Sequence, residues 1–589
     1  MKDFFKMTFA TLLAILIAGF IFIVYGVASL INNIASTEIQ TVVKPNSVFV
    51  LDLKGTIIER YQQLPFDAYL NDEMQTYGLE DILASIQKAK YHDDIKGICI
   101  NSEMLTCSPA SLQEIRRALS DFKQSGKYVI AYSGSYTQGT YYVSSMADKV
   151  IVNPSGNISW HGMAAQNMFF KDMLEKIGVK MQIFKVGTYK SAVEPFISTE
   201  MSPANREQSQ AYINSIWEQF VSDVSASRNI SADYLNQLAD SNMDFRPARE
   251  YITCNMADTL MYQDQVLSYL KELSGIDEQK DLSTLYLTDM INLKMSKSTK
   301  SNNEIAVYYA FGEIDNQANS LYSTDGIFSD KVTKDLKDLR ENDNVKAVVL
   351  RVNSPGGSAF GSEQIWREVC LLKSKKPVIV SMGDYAASGG YYISCAADYI
   401  FAEPTTLTGS IGIFGMIPDV SDLMTNKIGI SFDVVKTNNL ADVGNMGRPM
   451  NNEEKALLQK MINEGYELFI KRCSEGRNIP AEELKKIAEG RVWTGKMAKD
   501  IKLVDELGGL EKAIEKAAEK AQLNDYKTVS YPVPEDFFMT LLDIAKPDRY
   551  IKMKAQNTFG NYYSGFQFIN NIKNMDRIQA RLPFALNIN

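Results

Sequence analysis

With 589 residues, 45% hydrophobic and 23% charged, the chain is too long for one hydrophobic core and calls for two or more globular domains. Its 62 lysines and arginines stand against 71 aspartates and glutamates, a net charge of −9, and no basic run or aromatic-interleaved Lys/Arg patch is present. Nothing recruits a polyphosphate, so no nucleic-acid partner is expected.

The run MTFATLLAILIAGFIFIVYGVASLI, residues 7–31, carries no charge and is long enough to cross a hydrocarbon layer of about 30 Å as a helix. It exceeds the apolar region of a secretory signal and no clear A-x-A site follows, which predicts an uncleaved anchor. Lys2 and Lys6 precede the span, whereas Glu38 and Lys44 are the first charges beyond it. Residues 1–6 are therefore expected in the cytoplasm, with the bulk outside.

Beyond the span the chain repeats itself. DDIKGICI at Asp93 matches DNVKAVVL at Asp343, and GSYTQGTYYVSSMADKVIV at Gly134 matches GDYAASGGYYISCAADYIF at Gly383, each at an offset of 249 or 250 positions. Two homologous halves follow, residues 46–293 and 304–524. Between them lies a Lys/Ser/Asn-rich linker, 294–303, and a tail, 525–589, comes last. In the second half EIAVYYA, VKAVVLRV, PVIVSMG, YIFAEP and SFDVVKT read as strands separated by amphipathic stretches such as SEQIWREVCLLKSK. That alternation predicts an α/β fold, a mostly parallel sheet covered by helices, in two copies.

Absences narrow the chemistry. The two histidines are His92, in KYHDD at a helix end, and His161, in the loop ISWHGM, so a Ser-His-Asp triad is poorly supported. No H-E-x-x-H, phosphate loop or G-x-S-x-G occurs, and the S-x-x-K match Ser120–Lys123 falls inside an amphipathic helix. The cysteines (Cys99, Cys107, Cys254, Cys370, Cys395, Cys473) form no C-x-x-C and read as buried thiols, with Cys99–Cys107 the one conceivable pair. No metal or redox motif emerges.

The two copies differ where chemistry needs them to. Ser388 follows the strand PVIVSMG at a helix start, with the Gly389 amide beside it, and its counterpart passage has no serine. The loop RVNSPGGSAFGS brings Gly356 and Gly357 close enough to cradle an oxyanion, while the equivalent NSEMLTCSPAS has no double glycine. The first half in turn offers Lys190 in FKVGTYKSAVEPF, where the second aligns Asn439. Alone, Ser388 reads as a helix cap and Lys190 as a surface charge. Together they suggest a lysine buried at the junction, neutral near physiological pH, that takes the proton of Ser388.

NSPGGS, GDYAASGGYYIS, LTGSIGIFG, KVGTYKSAVEPF and RVWTGKMAKDIKLVDELGGLEKAI, in order and at compatible spacing, resemble the long form of signal peptide peptidase A, the protease IV family. The resemblance runs from the anchor to about Ala521. It implies tandem crotonase-like (Clp protease-like) domains and a Ser/Lys dyad split between them. It also implies a bowl-like homo-oligomer, a homotetramer, on a single-pass anchor in the lipid of a bacterial inner membrane, its bulk periplasmic. The implied substrates are signal peptides left in the membrane after release from exported proteins. By motif Ser388 is the nucleophile, Lys190 the general base, Ser410 of TGSIG the residue that helps hold the lysine, and Gly356, Gly357 and Gly389 the oxyanion region, with neither metal nor cofactor. Met382, Ile411, Phe414 and Met416 are candidates to line apolar pockets. The tail diverges and is assigned to assembly or membrane contact. Two rival readings stand beside this one: an acyl-CoA enzyme of related fold, and a catalytically silent membrane scaffold that binds exported chains.

Overall fold

The computed structural model describes Met7, Thr8, Thr11, Gly19 and residues 41–61, 76–241, 243–294, 301–317, 326–533 and 578–581. Apart from those four residues the expected anchor, and with it the segment before the anchor and most of the linker, lies outside the described residues. No helix among those described is long and apolar enough to cross a membrane.

Aliphatic runs alternate with amphipathic ones, and most become the element that their period predicts. In the first half β1 (Ser47–Ile58), α1 (Leu79–Tyr91), β2 (Ile95–Thr106), α2 (Pro109–Lys123), β3 (Tyr128–Tyr136), α3 (Gln138–Ser144) and β4 (Lys149–Ile158) build a parallel sheet in the order β1-β2-β3-β4. A short strand β5 (Lys180–Lys185) and a long helix α4 (Pro203–Arg228) follow. In the second half β6 (Glu304–Phe311), α5 (Ser329–Glu341), β7 (Val345–Ser354), β8 (Gly356–Ser358), α6 (Ala359–Lys373), β9 (Val378–Ala387), α7 (Gly389–Ser394) and β10 (Tyr399–Ala402) repeat the plan, with parallel order β6-β7-β9-β10. The copy continues through β11 (Phe414–Asp419) and α8 (Asn452–Arg477). Helices cover both faces of each sheet, which is why its strands are apolar almost throughout. Phe49, Leu51, Ile98, Val129 and Val150 lie in one core, and Val348, Leu350, Val380 and Ile400 in the other.

The duplication extends to small devices. Both α4 and α8 have 26 residues and end on a left-handed asparagine, Asn229 at φ 54° and Asn478 at φ 53°, a conformation asparagine tolerates better than most side chains. Lys127 donates to the carbonyls of Ala89 and His92 at the end of α1, and Lys376 does the same for Leu339 and Asn342 at the end of α5.

Two features weld the halves together. The first is a six-stranded sheet drawing on both, in which β5 pairs antiparallel with β11, from Lys185 opposite Phe414 to Lys180 opposite Asp419. The second is a buried ionic cluster, where Arg351 of the second half holds Glu59 and Glu114 of the first, each at 2.5 Å. Asn353 ties Glu59 to Asp384, and Asp384 accepts from Ser111. Arg117 reaches back to Glu403. Buried charges persist only when paired this way.

The structure differs from expectation in three places. SFDVVKT (431–437) is not a strand: the segment is exposed, Val435 to 98%, and no described strand pairs with it. Strand propensity is realised only where a neighbouring edge accepts it. The second unit also does not stop at 524, since β12 (Lys527–Tyr531) lies parallel to β6 as an edge strand. A further piece of the tail, β13 (Ile578–Arg581), sits antiparallel between β8 and β11. The cysteines agree with their reading as thiols: all six are free, Cys99 and Cys107 included.

Candidate active site

The strand β9 ends at Ala387 and α7 begins at Gly389, leaving Ser388 on the turn with φ 55° and ψ −112°. Such a backbone costs a non-glycine residue about 1–3 kcal/mol and survives only where its surroundings enforce it. Here the Ser388 amide donates to Gly409 O at 2.8 Å and its carbonyl accepts from Tyr392 N at 2.8 Å. Ser388 stands at the helix N-cap as the sequence suggested, yet its hydroxyl makes no cap bond. It meets Lys190 instead, with Nζ 2.7 Å from Oγ.

Lys190 lies in the turn between β5 and a short helix at Glu194–Ile197, and the β5–β11 pairing carries that turn across to the second half. Its amine also contacts Ser410 Oγ at 3.0 Å and Ser410 O at 3.2 Å. All three partners are uncharged. Lys190, Ser388 and Ser410 are fully buried, and burial alone pushes the lysine well below its ordinary value of 10.5. An amine in that state has a lone pair to offer.

Gly356 (φ 102°) and Gly357 (φ 156°) form β8 beside Ser388. A side chain on Gly356 would collide with Gly389 N at 2.8 Å, and one on Gly389 would meet Ser362 Oγ at 2.7 Å. Only bare backbone fits, so the Gly389 amide and the β8 backbone converge on one small volume. Every site residue expected from the sequence is thus brought together: Ser388, Lys190, Ser410, Gly356, Gly357 and Gly389. The pocket candidates divide. Met382 and Ile411 are core residues, Met382 Sδ accepting from Thr408 Oγ1, while Phe414 and Met416 pack with Ile183, Ala192 and Val193 next to the lysine turn.

Sequence reading passed over the residues that seat the lysine. Gly490 (φ 79°) lets the chain at 489–491 press against Lys190, and Tyr189 N donates to Glu489 O at 3.0 Å. Gln208, on α4, donates to Tyr189 O and Ser191 Oγ, each at 3.0 Å, and accepts from Val492 N at 3.2 Å. Arg491 stacks between the rings of Tyr189 and Trp493. A lone glycine, glutamine or arginine carries no signal until the fold brings it close. His92 Nδ1 accepts from Asp94 N, the His161 amide donates to Gln138 Oε1, and Lys123 pairs with Asp148 at 2.8 Å. Among the described residues no cluster of His, Cys, Asp or Glu is arranged to hold a metal ion.

The family model "Peptidase family S49" matches residues 121–277 and again 371–524, one match in each half. Protease 4 of Salmonella typhi is 37% identical over 528 residues, covering 86% of this chain and 83% of its own. The chain belongs to peptidase family S49. Protease 4 of Haemophilus influenzae is 37% identical over 456 residues (74% and 72% of the two chains), and the chloroplastic serine protease SPPA of Arabidopsis thaliana is 30% identical over 511 residues (86% and 72%). A ClpP1 mutant structure from Listeria monocytogenes overlaps 35% of this chain and 94% of its own at 18% identity and a TM-score of 0.24. As a member of S49 the protein is a serine peptidase, and each match covers the later part of one α/β unit.

Proposed function

We propose that this S49 peptidase is a membrane-anchored endopeptidase that degrades signal peptides remaining in the membrane after export, using Ser388 as nucleophile and Lys190 as general base. The observation that carries the reading is the 2.7 Å contact between a buried lysine amine with no charged partner and a serine hydroxyl on a strained turn. Neutral Lys190 accepts the Ser388 proton, and the alkoxide attacks the peptide carbonyl. The amides around Gly356, Gly357 and Gly389 stabilise the oxyanion; Lys190 returns the proton to the leaving amine, and water hydrolyses the acyl-enzyme. Ser410 holds the amine in line. The charge-free run at 7–31 supports a single-pass anchor in a bacterial inner membrane with the bulk periplasmic, and the name of a relative from Enterococcus faecium, "Putative signal peptide peptidase SppA", 32% identical over 261 residues, supports the substrate class. The working form is proposed to be a homo-oligomer, a homotetramer.

Hydrolysis of a fluorogenic apolar peptide by wild type, Ser388→Ala and Lys190→Ala tests the reading. Each substitution is expected to lower kcat by about 10⁴-fold or more while the protein stays folded. Near-full activity of Lys190→Ala would place the base elsewhere.

A further inference from the structure

The six-stranded sheet between the halves contains a strand that neither half supplies. Its order runs Ile327–Phe328, Ile314–Asp315, β8, β13, β11, β5, so among the described residues β8 and β11 are joined only through 578–581 of the tail. β13 is antiparallel to both neighbours: Gly356, Gly357 and Ser358 stand opposite Arg581, Ala580 and Gln579, and Phe414 and Gly415 stand opposite Gln579 and Ile578. An extended peptide lying between two strand edges, one of them the glycine pair beside Ser388, has the placement that a protease gives its substrate.

The details fix a register. A side chain on Gly356 would fall 2.0 Å from Ala580 O and 2.8 Å from Gly389 N, and one on Gly389 would fall 3.2 Å from Ala580 O. The Ala580 carbonyl oxygen and the Gly389 amide therefore face the same side of Gly356. Ala580 itself is 0% exposed, in a place that admits a methyl group, and Arg581 pairs with Glu313.

We infer that the protein is a substrate of its own site, cut between Ala580 and Arg581, and that Glu313 favours a basic residue immediately after a scissile bond. The inference rests on the reading of Ser388 and Lys190 given above. Ser388 Oγ adds to the Ala580 carbonyl carbon as its proton passes to Lys190. The Ala580–Arg581 C–N bond then breaks, and Lys190 hands that proton to the Arg581 nitrogen. Water hydrolyses the Ser388 ester, leaving a carboxylate on Ala580 and releasing the peptide that begins at Arg581. Until release, the strand fills the groove that an outside peptide needs.

Intact-mass measurement on the purified full chain tests this beside the fluorogenic peptide assay. Wild type is expected to end at Ala580 and Ser388→Ala to keep its full length. Ala580→Trp, too large for the enclosed position, is expected to stay full length while still hydrolysing the outside peptide. Wild type that remains uncut while turning over the outside peptide overturns the inference and leaves the Ser388–Lys190 reading standing. Trimming at Ala580 in Ser388→Ala overturns it as well, since another protease would be responsible. Loss of the outside activity in neither Ser388→Ala nor Lys190→Ala overturns the dyad reading instead. For Glu313→Gln, the preference for arginine over glutamate after the cut in paired peptides should fall at least about threefold, and an unchanged ratio would remove Glu313 from that role.

Discussion

Replacing Gly490 with alanine sets a methyl group 2.7 Å from the nitrogen, Cα and Cβ of Lys190, on a residue whose φ is 79°. Two penalties combine. A left-handed backbone costs a side-chain-bearing residue about 1–2 kcal/mol. The contact must also open from 2.7 Å to the 3.4 Å where ordinary packing begins, a retreat of about 0.7 Å. Gly490 is poorly placed to yield, because its amide is bonded to Ile411 O at 2.8 Å, so the lysine turn moves. A shift of that size carries Nζ from 2.7 Å to about 3.4 Å from Ser388 Oγ, outside good hydrogen-bonding range. Misplacement by about 1 Å costs roughly 100-fold in rate, so a fall in kcat of about 10- to 100-fold is expected with little change in KM. Initial rates on the fluorogenic peptide, alongside thermal melts, measure it. Gly126→Ala is the control, since Gly126 has the same φ of 79° with nothing within 4 Å, and should cost stability without touching rate. A Gly490→Ala enzyme with kcat within twofold of wild type would refute the claim that this close approach seats the lysine.

The pH profile of kcat/KM should rise with unit slope through one ionisation lying well below the ordinary lysine value of 10.5 and then level off; a rise only near 10.5 would mean that burial does not neutralise Lys190. The same group affects stability: the unfolded chain holds this proton up to about pH 10.5 and the folded chain releases it earlier, so stability climbs with pH between those two values. Lys190→Met should flatten that climb in denaturant titrations. Gln208→Ala removes three hydrogen bonds around the lysine turn and should lower kcat about tenfold with KM nearly constant; equal losses in a spectroscopic measure of folded fraction would make its role purely structural. Arg351→Met strands Glu59 and Glu114 in the interior and should cost about 3–5 kcal/mol in chemical unfolding, with Glu59→Gln and Glu114→Gln added together restoring part of it.

The repeat made much of this architecture readable in advance. Two passages 249 residues apart announce two α/β units, and what each copy lacks points to Ser388 and Lys190, which the fold brings into contact. Local patterns could not show which strand edges would meet. SFDVVKT has the composition of a strand and stays irregular, whereas KMQIFK (β5), with no stronger pattern, is a strand because β11 lies opposite it. The ionic cluster was equally hidden, because Glu59, Glu114 and Arg351 look like solvated charges until two surfaces close over them. Gly490 and Gln208 act through distances of about 3 Å between segments some 300 residues apart, which no window of sequence contains.

The split of the site between the halves also sets an order of events during synthesis. Translation makes Lys190 long before residues 388, 410 and 490, which bury it, and domains form in the order the ribosome releases them. A lysine still facing water keeps its proton, and no serine stands beside it. On the roles proposed for Lys190 and Ser388, an unfinished chain therefore has no working base, and peptide-cutting ability arrives only when the later half docks.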